Sequence, residues 1–309
     1  MKHTFLRSAA LAVAVCGASG CQAPPQADPE FSDAAQFAFR EFDTDTPARL
    51  AFAARALEQQ LYLSMDLESD GSTDRWMAQA HLDEADVAMI EHPDFPVGEG
   101  TPVAVGKFSG FEPGDHAEYL VLPDQTGTEP GGPQYDRTVL DGAETCWPGG
   151  DCEWMRTTNH LIKQNLLLTV EYDLFKDYRW IDLNLPDPST VPEGEEIVND
   201  GPKRWAIVAR SWTDQVWVGN NGQNEIQLSF TFETWIPRDG QGFIRTSEDV
   251  NIEDGAWTTD STGGGTLRLL ALWSRTNLDD SFTESQIQNV IRGGIEDIFV
   301  AQEEHLTGE

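Results

Sequence analysis

The sequence predicts an α+β fold, a curved antiparallel β-sheet packed against N-terminal and C-terminal amphipathic helices. Three patterns carry that prediction. Apolar residues recur at helical spacing near the start, hydrophobic and polar residues alternate from about residue 100 onward, and a second helical stripe closes the chain.

Residues 31 to 66 read as helical. The stretch "FSDAAQFAFREF" predicts a short helix. Thr46 followed by Pro47 marks the start of a longer one, because threonine caps free amides and proline fits the first helical position. Leu50, Ala54, Leu57, Leu61 and Met65 then share one face, which requires a partner.

Strand alternation is cleanest in "NEIQLSFTFETWI", where Ile226, Leu228, Phe230, Phe232, Thr234 and Ile236 point one way. Gln227, Ser229, Thr231, Glu233 and Trp235 point the other, which predicts one buried and one wet face. Asn221-Gly222 is a strong hairpin signal, so residues 204 to 236 are expected to fold back on themselves. "LLLTVEYDLF", "YRWIDLNL" and "TLRLLALWSR" supply further strands, while the Gly/Pro-rich stretches 123–150 and 186–203 read as connections too polar for a core.

The closing helix is expected from the capping-box spacing of Ser281-Phe282-Thr283-Glu284 and from the stripe Ile287, Val290, Ile291, Ile295, Ile298 and Phe299. Gly293-Gly294 interrupts it at about 1 kcal/mol each relative to alanine, so a close approach to the sheet is expected there. In element order alone the chain resembles the helix-grip arrangement of START-like lipid-binding domains, and equally a half-barrel with a helical lid, as in lipoprotein carriers. Either resemblance implies an apolar cavity between helix and sheet, with a filled core as the alternative.

Ahead of this domain, Lys2 and Arg7 precede the uncharged run "SAALAVAVCGA". That run is about half of the roughly 20 residues a membrane-spanning helix needs, so it reads as an export signal. Ala18-Ser19-Gly20 then lead to Cys21, and the stretch resembles the lipobox of bacterial lipoproteins, with Ala18 where that pattern has leucine. The resemblance implies cleavage before Cys21, acylation of its thiol, and, since Gln22 and not Asp follows, the outer membrane of a Gram-negative bacterium. An ordinary secretory signal is the alternative. The expected division is a signal peptide at 1–20, a proline-rich tether at 21–30 and a single α+β domain at 31–309.

The formal net charge is −33, with 53 acidic and 20 basic residues. Nucleic acid is excluded as a partner, because phosphate contacts need a basic patch. Such a surface repels itself in dilute buffer and is eased by salt, as in a salt-adapted protein. Cys146 and Cys152 bracket "CWPGGDC", whose Pro-Gly-Gly turns the chain back on itself, so a disulfide is expected in an oxidising compartment. A metal-thiolate site with His160 is the alternative.

"DLESDGSTD" resembles the first part of an EF-hand calcium loop, with Asp66, Glu68, Asp70 and Asp74 as ligands and Gly71 at the turn. Its twelfth position is Met77, where the loop family has glutamate. The alternative is a solvated turn ending the helix. His81, His92 and His116 lack any metalloenzyme spacing, and a zinc or hydrolytic site requires them to converge in space. Among ten tryptophans, Trp212, Trp217 and Trp235 are candidate ligand contacts, able to stack on a sugar or meet another protein if exposed. The alternative is that they cover the sheet beneath loops.

These readings converge on a non-catalytic, lipid-anchored envelope lipoprotein that binds an apolar or glycan ligand, or an envelope protein. A secreted hydrolase with carboxylate or metal chemistry is one alternative, and a calcium-stabilised surface or adhesion module another.

Overall fold

The structure, a computed structural model, describes residues 31–64, 75–77, 79–164, 169–192, 195–238, 264–278 and 283–308. The signal peptide, Cys21, the tether and the candidate calcium ligands Asp66, Glu68, Asp70 and Asp74 lie outside them. Among the described residues, nine strands form one antiparallel sheet. They are β1 (Arg75–Met77), β2 (Thr101–Ser109), β3 (Gln134–Val139), β4 (Trp154–Gln164), β5 (Thr169–Asp182), β6 (Trp205–Trp212), β7 (Trp217–Val218), β8 (Glu225–Arg238) and β9 (Gly265–Asn277). The order across the sheet is β1, β2, β9, β8, β6, β5, β4, β3, and β7 pairs with the start of β8. The helices are α1 (Phe31–Arg40), α2 (Pro47–Ser64), α3 (Pro113–Leu120) and α4 (Glu284–Thr307). The α+β class, the curved antiparallel sheet and the flanking helices are as the sequence predicts.

One face of the sheet carries α1 and α2. Leu50, Ala54, Leu57 and Leu61 are buried there with Phe230, Phe232, Leu267 and Leu269, so the helical stripe finds its partner. Polar contacts fix the docking angle: Arg55 donates to the carbonyls of Leu183 and Leu185 at 2.6 and 2.7 Å. Glu58 forms a buried two-pronged ion pair with Arg204, one prong at 2.7 Å.

The opposite face, expected to be wet, is covered as well. Trp147, Tyr178, Trp180, Ile207 and Trp235 form a second core beneath α3 and the disulfide loop. Val103, Val105, Leu270, Ile295 and Phe299 pack α4 down beside it. The alternation in β8 misleads because Glu233 is neutralised inside the protein and does not face water.

Three boundaries differ from expectation. Residues 123–150, read as a polar connection, contain β3 and the buried Gln125, Thr128, Tyr135, Arg137 and Trp147. Their polar groups are satisfied internally, as where Gln125 donates to the carbonyls of Tyr119 and Leu122 at 2.8 and 2.7 Å. Residues 169–175 of "LLLTVEYDLF" and residues 178–182 of "YRWIDLNL" belong to the single strand β5. The capping box of α4 pairs Thr283 with Gln286, further along the chain than the Ser281 spacing suggests.

The Asn221-Gly222 turn is as expected: Gly222 has φ 68°, and the Asn221 carboxamide accepts from the amides of Gln223 and Asn224 at 3.0 Å each. Gly293 and Gly294 are not sites of close approach, since a Cβ at either would meet nothing within 4 Å. Among the described residues no helix is long and apolar enough to cross a membrane.

Candidate functional site

The register of the sheet lines up charged side chains on the face that carries α1 and α2. Arg156 of β4 lies opposite Asp177 of β5, and Asp177 opposite Arg210 of β6. Directly opposed residues in an antiparallel pair have Cβ atoms about 5 Å apart, so these side chains meet. Arg156 donates from Nε and Nη2 to the two Asp177 oxygens, each at 2.7 Å, and these bonds raise its proton affinity above that of ordinary arginine. Arg210 stands 3.6 Å from the same carboxylate and 2.7 Å from Asp43, in the turn after α1. Asp177 is fully buried, and a carboxylate so placed requires such partners.

At the next position on this face, Phe175 and Trp212 are cross-strand partners whose rings stack at 5.6 Å and 19°. Above the buried Asp177, Phe175 and Trp212 line a cleft of about 440 Å³. Arg156, Arg210, Asp43 and Asp214 give it polar walls. Ile90, Leu140 and Met89 give it apolar ones, with Met89 standing 75 % exposed on the rim beside Glu91.

A second polar cluster lies inside the opposite face. Lys176 meets Glu233 at 2.6 Å and Glu129 at 3.4 Å. Arg137 stands 3.6 Å from Glu129 and donates to Asn159 at 2.8 Å and to the Tyr135 hydroxyl at 3.1 Å. Burial works against the charges of Lys176 and Glu129, yet Glu129 and Glu233 hold Lys176 well above the usual lysine value, and Lys176 and Arg137 hold Glu129 below the usual glutamate value. Burial, with the Glu129 charge beside it, pushes the Tyr135 hydroxyl well above the usual tyrosine value. These groups satisfy one another, and the cluster reads as a polar core.

The candidate tryptophans are not brought together. Trp212 stands in the cleft wall, 8 % exposed. Trp217 is half-buried in a separate small cluster with Tyr135, Leu161 and Ile226. Trp235, expected on the wet face, is fully buried on the far side of the sheet, with the Arg268 guanidinium 5.1 Å from its ring. It is therefore a core residue and no exposed platform, because α3, α4 and the disulfide loop cover that face.

The histidines do not converge either. His81 lies 3.1 Å from the Gly100 carbonyl, and His92 packs on Phe230 on the α1/α2 face. His116 is buried on the other face, between the Ser109 hydroxyl and the Tyr119 hydroxyl at 3.0 Å each. Burial, with the nearby Arg268 charge, pushes His116 well below the usual histidine value.

Cys146 and Cys152 are joined as a disulfide, with Cα atoms 5.4 Å apart. The loop it closes seats Trp147, whose carbonyl accepts from the Trp180 indole at 2.8 Å. His160 is no ligand to these sulfurs. It stands on β4 beside Asp173, 2.8 Å away, and that hydrogen bond raises its value above the usual one.

Sequence reasoning missed the Arg156, Asp177, Arg210 row, although a signal was present. In "AIVARSW" Arg210 shares the parity of Val208 and Trp212, which places a charge on an apolar face.

No family model matches the chain, and no curated protein matches it. Among solved structures it is similar to TTHA0849 from Thermus thermophilus, at 12% identity and a TM-score of 0.31, over 67% of this chain and 98% of that one. It is similar also to Ara h 8.0201, at 9% identity and a TM-score of 0.29, over 68% of this chain and 99% of that one. Likenesses of this size say nothing about the cleft.

Proposed function

We propose that the protein is an exported lipoprotein, held at an envelope surface through acylated Cys21, whose work is non-catalytic binding of a small ligand. The observation that carries this reading is the cleft beside Phe175 and Trp212, of about 440 Å³, a size that suits a small molecule. Its walls are preformed: Arg156, Asp177, Arg210 and Asp43 are held by one another before any ligand arrives. Charges committed to each other in this way supply shape and polarity, and they are poorly placed to exchange protons with a substrate. The tether expected at 21–30 leaves such a domain free to meet ligands near the membrane.

Two measurements test the reading. Metabolic labelling with a palmitate analogue is expected to mark the wild-type chain and to leave Cys21→Ser unmarked. Native mass spectrometry of the chain released from membranes is expected to show a small-molecule adduct that is lost in Leu140→Trp, which fills the cleft. An unmarked wild-type chain overturns the anchor, and an adduct unaffected by Leu140→Trp, or no adduct, overturns the binding cleft.

A further inference from the structure

Resting on the reading of the cleft as a binding site, we infer that its ligand is a small organic ammonium ion carrying an apolar group. The argument is a charge inventory. The cleft is lined by Arg156 and Arg210 and by Asp43, Glu91 and Asp214, with Asp177 beneath them. Both guanidiniums are paired with carboxylates, although Arg210 Nε is buried without a hydrogen-bond partner. Arg156 is bonded at two points to Asp177, and Arg210 is shared between Asp43 and Asp177 with Phe42 and Trp212 4.8 and 5.2 Å from its centre.

Asp214 and Glu91 remain. Among the described residues neither has an ion-pair partner, and Asp214 keeps a buried carboxylate oxygen, Oδ1, without a hydrogen-bond partner. Counted by ion pairs, the unpaired charge of the cleft is thus negative. Phe175, Ile90 and Leu140, each half-buried, supply hydrocarbon surface in the same space. A cationic head held by the carboxylates, with an apolar body against these side chains, satisfies both halves of the lining. The chain's net charge of −33 favours the same sign, since it concentrates cations around the protein.

Calorimetry on the full mature chain tests this with three probes of similar shape: 2-phenylethylammonium, 2-phenylethanol and 3-phenylpropanoate. The ammonium is expected to bind, the alcohol to bind at least tenfold more weakly, about the 1.4 kcal/mol of one carboxylate contact, and the carboxylate not at all. Asp214→Asn is expected to weaken ammonium binding about tenfold with unchanged melting temperature, Glu91→Gln to weaken it less, and added salt to weaken it further. Glu171→Gln, on the outer part of β5, is the control and leaves binding unchanged. Equal binding of the alcohol, or full binding by Asp214→Asn, overturns the cation while leaving a binding cleft. Silence from all three probes also overturns the cation, and the native mass spectrum then decides separately whether the cleft binds anything.

Discussion

Lys176 and Glu233 meet at 2.6 Å inside the protein, one reaching from β5 and the other from β8 across the intervening strand β6. Ala209 and Ser211 occupy β6 at these registers, and their small side chains leave room for the pair. Removing one partner strands the other charge in the core. Lys176→Met is expected to cost about 3–5 kcal/mol in urea denaturation, and adding Glu233→Met to recover much of it. If the double variant is no more stable than the single one, the pair is not the source of the loss.

His116 makes folding sensitive to acid. The unfolded chain binds its proton near pH 6.5, the folded chain only well below that, so stability contributed by the neutral imidazole is present above pH 6.5 and is lost as pH falls below it. The loss is expected to reach at most about 1.4 kcal/mol per pH unit. His116→Gln has no proton to gain, so the difference in unfolding free energy between the two proteins should shrink steadily from pH 7 toward pH 5. A constant difference contradicts the assignment.

Gly293 and Gly294 sit mid-helix in α4 with open space where a side chain would go. Gly293→Ala and Gly294→Ala are each expected to stabilise the protein by up to about 1 kcal/mol, read as a rise in melting temperature. A fall in either would mean that an unseen neighbour approaches this turn.

The Cys146–Cys152 bridge closes a short loop, so its loss in Cys146→Ser with Cys152→Ser is expected to cost about 2 kcal/mol. Trp147 lies 5.6 Å from Trp180 and 5.5 Å from Tyr178, so the same change should alter near-ultraviolet circular dichroism. A spectrum and stability unchanged by the double substitution would show that packing alone seats the loop.

The elements with simple periodicity were legible in the sequence. Leu50 to Leu61 read as one helical face because its partner is apolar, and the Asn221-Gly222 turn read as a hairpin because few other residues tolerate that backbone. What was not legible is where polar groups find each other. Glu233 and Trp235 look solvent-facing until Lys176, far away in sequence, is brought across β6. Residues 123–150 look like a loop because Gln125 and Arg137 are polar, although both are buried and bonded. Of the cleft's lining residues, the sequence singles out Trp212 alone. Arg156, Asp177 and Arg210 depend on register across three strands, which pairing determines and local pattern does not.

The buried charges have one further consequence. Arg137, Lys176, Arg179, Arg204, Arg210 and Arg268 are enclosed, and so are Glu58, Asp86, Glu112, Asp177, Asp182 and Glu233. The described interior is balanced, six against six, and so adds nothing to the chain's net charge of −33. With six of the chain's 20 basic residues enclosed there, carboxylates predominate among the charges that remain. Dissolved cations are the counterweight to that excess, so the folded molecule is expected to gain stability as ionic strength rises.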